Sequence, residues 1–112
     1  MPLYMAQFSY TSETWAALVQ NPENREEAVA GILANHGCKL HHLWYAFGDA
    51  DGYALIEAPN NVNAASVAIA IASSGGFSKF TTTVLMSQEE ALDAMRQASQ
   101  LGYAAPGRAV HA

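Results

Sequence analysis

Glu57 is a carboxylate inside an otherwise apolar run, Tyr53-Ala54-Leu55-Ile56-Glu57-Ala58. Burial there would raise its pKa towards a value useful for a general base near neutrality. His41 is the second candidate for proton transfer. Trp44, Tyr45, Tyr53 and His42 are the candidate walls of an aromatic pocket around it. The competing reading is structural: Glu57 ends its strand, then accepts hydrogen bonds from a helix N-terminus or pairs across a subunit boundary. Paired, buried carboxylates commonly have that role.

His36, Cys38, His41 and His42 are clustered in sequence, and imidazole and thiolate are good zinc or copper ligands. Their spacing is poor for one ion. Side chains on a regular strand alternate between its faces, so His41 and His42 are expected to point apart. His36 falls at a helix C-terminus, where the dipole favours an imidazolium. No further motif supports haem. Asp49 and Asp51 resemble an acidic pair, but Asp in turns usually bonds its own backbone. Gly75-Gly76 lacks the following Lys and helix of a phosphate loop. No metal and no cofactor are expected.

These residues need elements to hold them. Leu3 to Tyr10 alternates as a strand does. Thr11 and Ser12 offer caps to a helix carrying Trp15, Leu18 and Val19. Asn21-Pro22-Glu23 is expected to restart a helix, with Asn21 as its cap, and Gly37 to stop it. Lys39 to Phe47 and Tyr53 to Ala58 read as a strand pair around Gly48–Gly52. A type I turn there would pair Tyr45 with Glu57 and Phe47 with Leu55. His41, Leu43, Tyr45, Phe47, Tyr53, Leu55 and Glu57 would then share one face, with His42, Trp44, Ala46, Ala54 and Ile56 on the other. An Ala-rich helix to about Ser73, a strand over Phe77 to Met86, and a helix opened by the capping box Ser87–Glu90 complete the domain over residues 1–101. Residues 102–112 form an irregular tail.

The order β-α-β-β-α-β plus a terminal helix implies an α+β, ferredoxin-like fold with a four-stranded antiparallel sheet. The second strand is apolar on both sides, with Leu40, Trp44 and Ala46 against Leu43, Tyr45 and Phe47. A sheet wetted on one face would alternate more cleanly. Leaving its aromatics in water would forgo several kcal/mol, taking about 25 cal/mol per Å². A second copy of the chain is therefore expected over the open face, as a homodimer or higher assembly.

Composition supports this. The chain has 112 residues, 51% hydrophobic and only 13% charged, which excludes a disordered, solvating segment. The net charge is −5, and the five basic residues are scattered singly, so neither nucleic acid nor an anionic membrane is an expected partner. One cysteine allows no internal disulfide, which fits a cytoplasmic setting. The start, Met1-Pro2-Leu3-Tyr4, has no signal-peptide features, and no apolar run approaches a bilayer span.

Asp51-Gly52-Tyr53-Ala54-Leu55-Ile56-Glu57-Ala58-Pro59 resembles the strand signature of the GYD-domain family. Tyr10-Thr11, Arg25, Gly48, Phe80-Thr81-Thr82-Thr83 and Gly102-Tyr103 with Pro106-Gly107 fit the same pattern. The resemblance implies a small ferredoxin-like domain of the dimeric α+β barrel type. It departs at Ala50, where the family pattern Gly-x-Tyr-Asp places Tyr. The expected function is that of a homo-oligomeric domain that binds a small apolar molecule in a cleft. The alternatives are a non-catalytic self-association or regulatory module, or a cofactor-free enzyme using Glu57.

Overall fold

The computed structural model describes residues 1–108, so residues 109–112 of the expected tail lie outside the described part. The elements run β1 (Leu3–Tyr10), α1 (Ser12–Gln20), α2 (Arg25–Asn35), β2 (Lys39–Tyr45), β3 (Gly52–Glu57), α3 (Asn61–Ala72), β4 (Phe77–Leu85) and α4 (Gln88–Ala98). The sheet is antiparallel in the order β2-β3-β1-β4. This is the expected α+β, ferredoxin-like arrangement with an added C-terminal helix. The first helical region is split in two.

Local chemistry sets most boundaries. Thr11 caps α1 by accepting the Thr14 N–H. Asn24, rather than the expected Asn21, caps α2 by accepting the Glu27 N–H. Asn21 instead closes α1, where its N–H donates to the Ala17 carbonyl. Pro22 has no N–H to extend α1, so the chain turns before α2 begins. Gly37 takes φ +73° after α2, a left-handed conformation that suits glycine. Asn60 caps α3, and Ser87 and Glu90 form the reciprocal box that opens α4.

Helices α1, α2 and α3 lie on one face of the sheet, whereas α4 packs on neither. Tyr4, Ala6, Ala54 and Ile56 point into a small core with Leu33 of α2, Ala64 of α3, Cys38 and Ala58. Tyr4 also donates its hydroxyl to Asn61 Oδ1 at 2.7 Å, tying β1 to the start of α3. The other face carries Leu3, Met5, Tyr53, Leu55 and Trp44, none of them buried. Among the described residues, no helix is long and apolar enough to cross a membrane.

The β2–β3 register differs from the expected one. Tyr45 lies opposite Gly52, Trp44 opposite Tyr53 and Leu43 opposite Ala54. Strand β2 therefore stops at Tyr45, and Ala46–Asp51 form a longer loop. The cause is an anchor. Asp51 donates its N–H to the Phe8 carbonyl at 2.9 Å and accepts the Ala46 N–H at 2.8 Å. Gly52 then lies beneath the Phe8 ring, where a Cβ would collide with that ring and come within 2.7 Å of the Trp44 carbonyl oxygen. Only glycine fits so close an approach.

Candidate functional site

One end of the helix-covered face is built from aromatic side chains. Phe8 and Tyr10 come from β1, Trp15 from α1, Tyr45 from β2 and Phe77 from β4. Their ring centroids lie 5.0–6.3 Å apart, mostly tilted or edge-on. Such arrangements suit the ring quadrupoles. Asp51 Oδ2 holds the cluster from the loop. It accepts the Tyr10 backbone N–H and the Trp15 indole N–H, each at 2.9 Å. This differs from the self-bonded turn aspartate expected for Asp51. The carboxylate reaches across to another strand and a helix.

The Tyr10 and Tyr45 hydroxyls are 3.1 Å apart. Burial first, and then the Tyr45 hydroxyl, push the Tyr10 phenol well above its ordinary range, with Arg25 pulling weakly the other way. Tyr10 is therefore a neutral donor at physiological pH. Two phenols bring two protons, and their mutual bond uses one. The second is left to donate to another oxygen.

Three concavities open nearby; Tyr10 lines two of them and Tyr45 none. A cleft of about 670 Å³ runs between α1 and the Gly75–Gly76 turn. A groove of about 560 Å³ separates α2 from α3, and its wall is largely apolar, with Val29, Ile32, Val67 and Ile71. A void of about 40 Å³ lies beneath them, against the sheet. Arg25 and Phe77 line all three. Arg25 spends one contact on Glu23, at 3.4 Å, and a guanidinium has five N–H donors in all.

The residues proposed from sequence divide between two faces. Tyr45 belongs to the aromatic cluster. Glu57, His41, His42, Trp44 and Tyr53 lie on the open face. This corrects the expected grouping of Tyr45 with Tyr53 and Glu57, and the reason is the shifted register. The expectation that His41 and His42 point apart also fails. A bulge between Leu40 and His42 makes His41 an extra residue, so both imidazoles reach the open face. There they take different partners. His41 Nε2 is 2.9 Å from Glu57 Oε1, while His42 stacks on Trp44 with centroids 5.1 Å apart. Trp44 lies directly opposite Tyr53. Among the described residues, no three His, Cys, Asp or Glu side chains gather closely enough to hold a metal.

Glu57 does not have the raised pKa expected from its apolar strand. The His41 hydrogen bond lowers it, and the desolvation that opposes this is smaller. A carboxyl below its ordinary range is a weak base near neutrality. Cys38 is buried, and desolvation pushes its thiol up, which leaves it unreactive.

Sequence reasoning missed Arg25, Asp51 and Phe77 as members of one site. Tyr10 and Arg25 stood out only through the family resemblance. Phe77 carried no signal, because its value lies in where β4 begins. Ala50, within the loop that Asp51 anchors, is buried. The family model described as GYD domain matches residues 4–95. No curated protein and no solved structure matches the chain.

Proposed function

This chain belongs to the GYD-domain family, and on that premise we propose that it is a homo-oligomeric domain binding a small, mainly apolar molecule. The ligand carries an acceptor oxygen, a carboxylate or carbonyl. It lies in the cleft bounded by Tyr10, Arg25 and Phe77. One observation carries this reading: the Tyr10 phenol, bonded to Tyr45 behind it, and the Arg25 guanidinium both line a cleft that Phe77 also walls. Small-molecule sites typically combine an apolar lining with a few convergent polar groups. Glu13 and Glu23 line the same cleft, so the acceptor oxygen of the ligand belongs at its Tyr10–Arg25 end.

A panel of aromatic carboxylates and their matching alcohols, screened by thermal shift, tests this, because ligand that prefers the folded state raises Tm. The carboxylates are expected to stabilise more than the alcohols. Tyr10→Phe should weaken binding roughly tenfold, the loss of one hydrogen bond of about 1–1.5 kcal/mol. Arg25→Gln should weaken it for carboxylates in particular. Glu57→Gln should leave the shift intact. A shift that disappears in Glu57→Gln but survives Tyr10→Phe would place the ligand on the other face.

The second reading is a self-association module without a ligand. It is favoured by the open face itself, where Leu3, Met5, Trp44, Tyr53 and Leu55 expose apolar surface. Both readings share a second copy over that face. The His41–Glu57 hydrogen bond then stands at the subunit boundary as a structural contact. No ligand in the panel shifting Tm, together with a dimeric mass by light scattering, would leave this second reading.

A further inference from the structure

Helix α4 buries no residue and packs extensively against no other element. Yet it is a well-made helix, with a full capping box, acids in its first turn and Arg96 in its last. Its apolar positions, Ala91, Leu92, Met95 and Ala98, fall at helical spacing on one stripe. Met95 is 64% exposed, and Leu101 and Tyr103 beyond it are 77% and 80% exposed. An amphipathic helix gains stability by covering something. Here that something is not its own core.

The shape of the chain says how far α4 stands off. Its long axis is 65 Å. The longest strand, nine residues, accounts for about 30 Å. Leu85 lies opposite Leu3, so β4 leaves the sheet where β1 begins, and α4 continues outward from that end. The radius of gyration is 18.7 Å, against about 13 Å for a compact chain of this length. The accessible surface is 8004 Å², against about 6,000 Å² for a compact monomer of this mass. The excess, about 2,000 Å² on each chain, matches what obligate homodimers bury.

We propose that α4 is an exchanged arm: in a homodimer, each copy lays its α4 across the open sheet face of the other. This rests on the self-association proposed above and names the segment that performs it. The lengths agree, since an eleven-residue helix spans about 16 Å and four strands side by side span about 19 Å. The charges agree as well. The helix carries Glu89 and Glu90, the latter within the capping box, while Asp93 is held by Arg96 at 2.9 Å, so its net charge is negative. The open face carries Lys39 and Lys79, with Glu57 already held by His41. The stripe of Leu92 and Met95 meets Trp44, Tyr53 and Leu55, and those aromatics leave water.

The full-length chain and its double variant Leu92→Asp, Met95→Asp test the arm by light scattering. Wild type is expected at twice 11.9 kDa and the variant at the single mass, with unchanged far-UV circular dichroism because these side chains bury nothing in their own chain. A mixed sample provides the second measurement on unaltered protein. One half carries 13C-methyl methionine in a deuterated background, and the other half carries protonated aromatic residues. A nuclear Overhauser contact between the Met95 methyl and the Trp44 ring across copies is expected. A variant that remains dimeric would overturn the arm and leave the two sheets meeting directly, so self-association would stand without it. Absence of the intermolecular contact in dimeric wild type would overturn it equally. A monomeric wild type would remove both the arm and the reading beneath it.

Discussion

Asp51 shows how much one carboxylate can organise. A single oxygen accepts from the Tyr10 backbone and the Trp15 indole, and the residue's own backbone locks the loop to Phe8 and Ala46. Asp51→Ala should destabilise the chain by about 2–4 kcal/mol, since hydrogen bonds to a charged group are worth more than neutral ones. Urea unfolding measures this, and Trp15 emission should shift to the red as the indole loses its partner. A loss under about 0.5 kcal/mol, the range of ordinary surface changes, would show that the anchor is incidental. Gly52 is constrained by space instead. Gly52→Ala should cost about 1–3 kcal/mol, the usual range for overpacking. Phe8→Leu in the same chain should recover part of it, because the Phe8 ring is the obstacle. No recovery would assign the strain to the Trp44 carbonyl. The carboxylate at 57 was visible in the sequence as an oddity. Its partner was visible too, but their meeting depends on a bulge that no local pattern announces.

Strand β2 is the element on which the site turns. Its bulge brings His41 to Glu57, and the resulting bond has a pH signature. The folded chain holds Glu57 below its ordinary value of 4.5, chiefly through the His41 hydrogen bond. The folded state thus takes up this proton less readily than the unfolded chain. The stabilisation is complete above that value and disappears as pH falls through the lowered folded value. Glu90 behaves in the same way, through the backbone N–H and hydroxyl of Ser87. Glu57→Gln should therefore flatten part of the acid limb of a stability profile measured from about pH 3 to 6, leaving the Glu90 part in place. An acid limb of unchanged steepness would mean that the pair contributes nothing to folding. The helices were more legible than this strand. Their caps are local bonds between a side chain and an N–H three residues away, so Ser87 and Glu90 could be read directly, and Thr11 as one of two neighbouring candidates. The exception was Asn21 for Asn24. Both are asparagines beside a charged helical run, and only Pro22 between them decides which helix each one serves.

At the scale of the molecule, the open face and the projecting α4 make one statement. A 112-residue chain with little charge leaves apolar surface on two separate features. If a second copy covers them, folding and association are coupled, and Tm must rise with protein concentration. Scanning calorimetry over about a hundredfold range of concentration checks this, since association shifts stability by mass action. A constant Tm would argue for a chain that folds alone. The shortage of charge and the strand apolar on both sides pointed to this in the sequence. The arm did not, because a stripe on a terminal helix looks the same whether it covers its own sheet or a neighbour's.

Residue order alone determined the element types, most of the caps, the ferredoxin-like sequence of strands and helices, and the family. These depend on contacts within a few residues or on a hydrophobic period that folding does not change. Tertiary structure decided the β2–β3 register, the face on which each histidine appears, and the meeting of Tyr10, Tyr45, Arg25 and Phe77. Each of those depends on a long-range contact, Asp51 on Tyr10 or Gly52 under Phe8, and a shift of an odd number of residues reverses every face at once.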